Sequence, residues 1–211
     1  MKYKEFKHKI RNFPIFSSSQ ISSLTSNAQV LKNQLTLWQK QGLVLRLKRG
    51  LYILNEEDRK ITPSRTFIAN QLVSPSYVST EYALFFYGLI PEKVEDITSV
   101  TTKKTTLIRN SFGIFRYQHL DTDCFMGFEQ IEEKGSLYFF IATPEKAIVD
   151  FLYLNLSNFK VGDQDIFRLS YRIQNTSALS KRRLKDFAKA FNSQKLIKVV
   201  DTFCEFMNSE G

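Results

Sequence analysis

Apolar residues in the first quarter of the chain fall into short groups with different spacings, and each spacing predicts an element. Residues 2–11 predict a short basic helix that Pro14 ends, because proline removes a donor and clashes inside a helix. The serine run 17–19 offers an N-cap for a second short helix carrying Ile21 and Leu24. Leu24-Thr25-Ser26-Asn27 predicts a turn, with Ser26 or Asn27 capping a third helix that runs to about Gln41, where Gly42 suits the residue past its end. Leu31, Leu35 and Trp38 make one apolar stripe on that helix, with Val30 beside it, while Gln29, Lys32, Asn33, Thr36 and Lys40 fall off it. Arg46 and Lys48 then alternate with Leu45 and Leu47, the period of a half-buried strand. Arg49-Gly50 is a tight turn, and Leu51–Leu54 is the return strand. The charged run 56–60 closes the unit, which places a domain boundary near residue 60.

Beyond it the pattern is mixed. Helices are predicted at 64–73, 79–88, 145–156, 164–173, 181–191 and 195–207, and strands at 97–108, 114–120 and 137–142. The fold class expected is therefore α+β (mixed): an N-terminal winged helix-turn-helix over 1–60, followed by a larger α/β domain over 61–211 with a helical C-terminal end. Aromatics at 14%, 19 of them Phe, imply well-filled cores rather than disorder.

Charge sharpens this picture. The first 60 residues hold twelve Lys and Arg against four Asp and Glu, so eight of the chain's nine excess positive charges sit there. A chain that is merely rich in lysine would spread the excess evenly. A concentrated basic region attracts polyanions and releases their counterions. The major groove of B-DNA admits one helix, and its base edges are read by side chains with donors and acceptors. Asn27, Gln29, Lys32, Asn33 and Thr36 stand where such readers belong. Arg46, Lys48 and Arg49 would set the hairpin against the DNA backbone or minor groove, and Lys2, Lys4, Lys7 and Lys9 would meet flanking phosphates.

Other chemistry is weakly signalled. Cys124 and Cys204 lack paired spacing and read as reduced thiols, which with the missing apolar leader segment suggests a cytoplasmic protein. No apolar run is long enough for a membrane span. The segment His119–Cys124 contains ligand-type residues, but His8 is the only other histidine, so no metal site is expected. No nucleotide-binding, nucleophile-elbow or zinc-protease motif occurs, and no catalytic residue or cofactor is assigned. The Thr/Lys-rich segment 98–106 reads foremost as a strand whose lysines block edge pairing, with phosphate or partner binding as the alternative. Lys181-Arg182-Arg183 reads as the solvated start of a helix.

Several segments in order resemble the AbiEi antitoxin family: Leu45 to Tyr52; Tyr77 to Leu84 running on to Tyr87-Gly88-Leu89-Ile90-Pro91; Ile97 to Thr102; Phe112 to Phe115 with Tyr117, His119 and Leu120; and Pro144 to Asp150 with Leu152-Tyr153. The resemblance covers roughly residues 15 to 156. It implies a type IV toxin–antitoxin system linked to abortive phage infection. In such a system the N-terminal unit binds double-stranded DNA, at inverted repeats in its own promoter, and represses the operon. The C-terminal domain carries the antitoxic role against a nucleotidyltransferase-like toxin, without a stable complex. The rival expectations are an enzyme that modifies the toxin or a nucleotide through the C-terminal domain, a solitary regulator lacking a toxin, and a protein-binding module.

Overall fold

In a computed structural model that describes residues 1–22, 28–133 and 135–209, the chain is a mixed α+β protein with two sheets and two hydrophobic cores. The N-terminal part runs α1 (Tyr3–Ile10), β1 (Phe16–Ser17), α2 (Ser18–Ser22), α3 (Ala28–Lys40), β2 (Val44–Lys48) and β3 (Leu51–Leu54). The expected turn at 24–27 lies outside the described residues. Gly42 has the positive φ of +71° that the end of α3 requires, and Leu43 N–H closes back onto the Trp38 carbonyl at 2.9 Å. Strand β1 adds to the hairpin, giving the antiparallel order β1-β3-β2. Phe6 and Trp38 stack at 4.7 Å between centroids, with Tyr3 edge-on to Trp38 at 5.4 Å. Trp38, at 5% exposure, is thus the core anchor its place on the apolar stripe predicts.

The hairpin β2–β3 lies between the two cores. Val44 and Leu54 face the N-terminal core, whereas Leu47 and Ile53 are buried in the larger core with Leu45 and Leu51 packed beside them. Ile15 also reaches the larger core. Burying each large aliphatic side chain is worth about 1.5–3 kcal/mol, so the shared hairpin ties the two cores firmly together. The expected boundary near residue 60 is bridged further by Asn110 Nδ2, which donates to the Leu47 carbonyl at 3.1 Å, and by Arg59, 5.7 Å from the Phe112 ring centroid.

The larger part contains α4 (Arg65–Leu72), β4 (Tyr77–Val78), α5 (Thr80–Phe86), β5 (Ile97–Thr101), β6 (Thr106–Asn110), β7 (Gly113–His119), β8 (Phe128–Glu133), β9 (Leu137–Ala142), α6 (Pro144–Leu154), α7 (Lys181–Ala190) and α8 (Gln194–Ser209). The sheet order is β6-β7-β5-β4-β9-β8, with the β4–β9 and β5–β7 pairs parallel and the others antiparallel. Strand β4 is short, and the Asn70 side chain adds a bond to β9 one residue before the Val78–Ile141 pair, accepting from Phe140 N–H at 2.6 Å. Among the described residues no helix is long and apolar enough to cross a membrane.

Three expectations change. The strand read over 97–108 is two strands, β5 and β6, each paired with β7 and not with the other. Thr101 breaks it: its hydroxyl donates to the Pro75 carbonyl at 2.6 Å and accepts from Lys103 N–H at 3.2 Å, turning the chain out of the sheet. The helix read over 164–173 is a single wide turn, Ile166–Ser170, closed by Tyr171 N–H on the Ile166 carbonyl at 3.1 Å. Phe167 is buried there while Leu169 stays 70% exposed, so no continuous apolar stripe holds a longer helix. Strand β8 is absent from the expectations because half of its sequence, Phe-Glu-Gln-Ile-Glu-Glu, is acidic, as befits an edge strand.

Lys146 and Asp150, one turn apart on α6, form an ion pair that is fully buried. Asp150 also accepts from Ser79 Oγ at 2.7 Å and Tyr77 OH at 3.0 Å, so it links α6 to β4 and the start of α5. Burial pushes the Asp150 carboxyl up, against the pull of Lys146 and these two hydroxyls. Removing one partner leaves a buried charge uncompensated, whereas removing both does not. Lys146→Met or Asp150→Leu alone is therefore expected to cost about 3–5 kcal/mol in urea unfolding, and the double variant should recover much of that loss. Additive losses would show that the pair is not coupled.

Candidate nucleic-acid interface

Helix α3 buries Leu31, Leu35 and Trp38 against α1 and the hairpin, which leaves the opposite face outward. Gln29, Lys32, Asn33 and Thr36 are all exposed there. Gln29 Nε2 donates to Asn33 Oδ1 at 3.3 Å, which links two of the proposed base readers, and the Thr36 hydroxyl donates to the Lys32 carbonyl at 3.0 Å. Asn27 lies outside the described residues. The same face carries exposed Val30 (46%) and Leu37 (52%), together with Lys40. Val30 adjoins the buried stripe in sequence, and Leu37 has no place on it. Apolar residues on an exposed helix face fit contact with thymine methyl groups. The signal for Leu37 was there in its angle, about 40° from Asn33 at the α-helical period.

The hairpin separates its three basic residues. Arg46 is opposite Tyr52, whose ring belongs to the N-terminal core, and Lys48 is opposite Leu51, which packs on the larger core. Leu47 between them has no partner in the register, so a bulge reverses the facing and Arg46 and Lys48 point to opposite sides. Arg46 and Arg49 are exposed. Lys48 is not available as the expected backbone clamp, because its ammonium donates to the Leu72 carbonyl at the end of α4. Desolvation, and then the nearby Lys103, pull the Lys48 pKa down. Plain strand alternation cannot reveal such a bulge, which is why the sequence grouped Lys48 with its neighbours.

Lys2 just ahead of α1 and Lys4 and Lys9 on it are exposed, and a concavity of about 580 Å³ running against that helix is lined by basic residues including Lys4, Lys9 and Arg11. Lys7 is committed to Asp58 at 2.6 Å, and Asp58 also accepts from Tyr3 OH at 2.6 Å. This cluster pins α1 to the segment that leaves the hairpin. On the larger part, Lys103 and Lys104 are exposed in the turn between β5 and β6, and β6 packs beside β2. In that Thr-rich stretch Thr105 Oγ1 accepts from His119 N–H at 3.2 Å, and His119 Nδ1 lies 3.1 Å from the Lys103 carbonyl oxygen. Arg183 at the start of α7 approaches Glu145 at 3.3 Å, while Arg182 is 92% exposed. Burial raises the thiol pKa values of Cys124 and Cys204, which makes both poor nucleophiles.

No protein-family model matches the chain, and no curated protein is significantly similar to it.

Burial works to raise the Asp58 pKa, but the hydrogen bonds from Lys7 and Tyr3 outweigh it and hold the carboxyl below its ordinary value. A carboxylate with a depressed folded-state pKa contributes stability above its unfolded value, near 3.9, and loses it as pH falls through the folded one. Asp58→Asn should therefore lower the melting temperature at neutral pH, with the gap to the parent protein closing as pH drops below about 4. A gap independent of pH would show that the Asp58 charge has no part in holding α1.

Proposed function

We propose that the protein is a DNA-binding transcriptional repressor of its own promoter, acting through a winged helix-turn-helix at its N-terminus. The observation that carries this reading is the outer face of α3: Gln29, Lys32, Asn33, Thr36 and Lys40 project from a helix whose other face is locked into a core, in the part of the chain that holds nearly all the excess charge. The element order supports it, with helix, strand and two helices leading to a hairpin that takes the first strand as its third. Exposed Arg46 and Arg49 supply backbone contacts beside that helix, and Lys103 and Lys104 continue the positive surface onto the larger part. Asn and Gln suit adenine, Lys suits guanine or phosphate, and Val30 and Leu37 suit thymine methyls.

The AbiEi resemblance extends the proposal. The operator is an inverted repeat in the protein's own promoter, and the larger domain is the antitoxic part of a type IV system whose toxin is nucleotidyltransferase-like. The protein then acts in the cytoplasm on double-stranded DNA, without a catalytic residue, cofactor or metal of its own.

Substitutions separate the roles. Asn33→Ala should cost about 1–3 kcal/mol at one operator position and little on random DNA. Arg49→Ala should weaken binding to all sequences alike and lower the slope of log affinity against log salt by about one. Lys48→Ala should leave that slope unchanged, since its ammonium is spent on the Leu72 carbonyl. Gel-shift titrations of the three variants check this. An Asn33→Ala loss that is equal on operator and random DNA would overturn the assignment of α3 as the reading helix.

A further inference from the structure

Lys103 and Lys104 sit in the turn between β5 and β6, and both are exposed. Lysines that guard a sheet against a strand from another molecule stand on the edge strand itself. Strand β6 is one edge of the six-stranded sheet, but it begins at Thr106, and the basic residue it carries is Arg109. The two lysines precede it, so edge protection does not account for them. Neither forms an ion pair among the described residues, whereas Lys7, Lys93, Lys146, Lys185 and Lys189 each hold a carboxylate.

Bonds at both ends hold this turn and its strand against the hairpin β2–β3. Thr101 opens the turn by donating to the Pro75 carbonyl at 2.6 Å. Three residues earlier in the chain, the Leu72 carbonyl accepts from the Lys48 ammonium. Hairpin and turn are thus tied to one short segment, 72–75, at the end of α4. At the far end of β6, Asn110 Nδ2 donates to the Leu47 carbonyl at 3.1 Å. Lys103 consequently lies close enough to Lys48 for the two cations to repel each other. Lys48 directly precedes Arg49 at the hairpin tip, so the basic tip and the basic turn are neighbours. An anion that approaches such a cluster is attracted by every member of it.

We propose that the β5–β6 turn is a second wing: Lys103 and Lys104 contact phosphates of double-stranded DNA beside those that Arg49 meets, so the larger part of the chain shares in holding the DNA. The inference rests on the reading of α3 and the hairpin as a DNA-binding unit. Ammonium groups on phosphates carry no sequence information, so the turn adds affinity and orientation while α3 keeps the choice of sequence. Because turn and hairpin share an anchor, the two wings meet the duplex at a fixed separation, which lowers the ordering cost of binding.

The test is a titration of the full-length protein over a range of salt, on the DNA upstream of its gene and on a scrambled copy. The double variant Lys103→Ala, Lys104→Ala should lower the slope of log affinity against log salt by about two on both DNAs, with the preference for the upstream fragment unchanged. Lys103→Arg with Lys104→Arg should keep the parent slope. As a control, Lys160→Ala with Lys198→Ala removes the same charge from exposed positions on α8 and beside it, and should change the slope by less than about half a unit. The replaced side chains are all exposed, so the melting temperatures should match the parent's. An unchanged slope in the Lys103, Lys104 alanine variant, or an equal fall in the control, would overturn the second wing and leave α3 as the reading helix. So would a loss confined to the upstream fragment, since phosphate contacts do not discriminate between sequences. Equal binding of both DNAs by the parent protein would overturn the operator reading alone, because the slope on either DNA still reports the two lysines. No binding at low salt would overturn both.

Discussion

The hairpin β2–β3 is the constraint on which the rest of this structure depends. It is a ribbon with an apolar side chain on each face, and each face belongs to a different core: Val44 and Leu54 to one, Leu47 and Ile53 to the other. Neither core is complete without it. The hairpin therefore cannot flex as a free loop tip. The register shift at Leu47 follows from the same demand, since it keeps leucines buried on the larger core while turning Lys48 to the carbonyl at the end of α4.

That arrangement bears on function. A binding hairpin held on both sides presents Arg46 and Arg49 at fixed positions relative to α3, and fixed positions lower the ordering cost of binding. It also places the β5–β6 turn, with Lys103 and Lys104, on the element that packs beside β2. The larger part thus stays mechanically close to the proposed DNA surface, although its own buried centre, the Lys146–Asp150 pair, is purely internal.

The sequence made the helices α1, α3, α6, α7 and α8 legible because their apolar residues repeat at the helical period over two turns or more. It also showed which face of α3 is free, because Leu31, Leu35 and Trp38 mark the other. It did not show the bulge, since a single unpaired residue leaves the alternation of letters unchanged and alters only which way they point. The split between β5 and β6 rests on the side-chain bond from Thr101 to Pro75, distant in the chain, and β8 on pairing with β9; neither leaves a local periodicity.

The central claim is sequence-specific DNA recognition by α3 and the hairpin. The most direct test is a titration of the intact protein on the DNA upstream of its own gene and on a scrambled copy, at two salt concentrations. The account predicts a preference of roughly 1,000-fold or more for the upstream fragment, with affinity falling steeply as salt rises. Equal affinity for both fragments, or no binding at low salt, would contradict it.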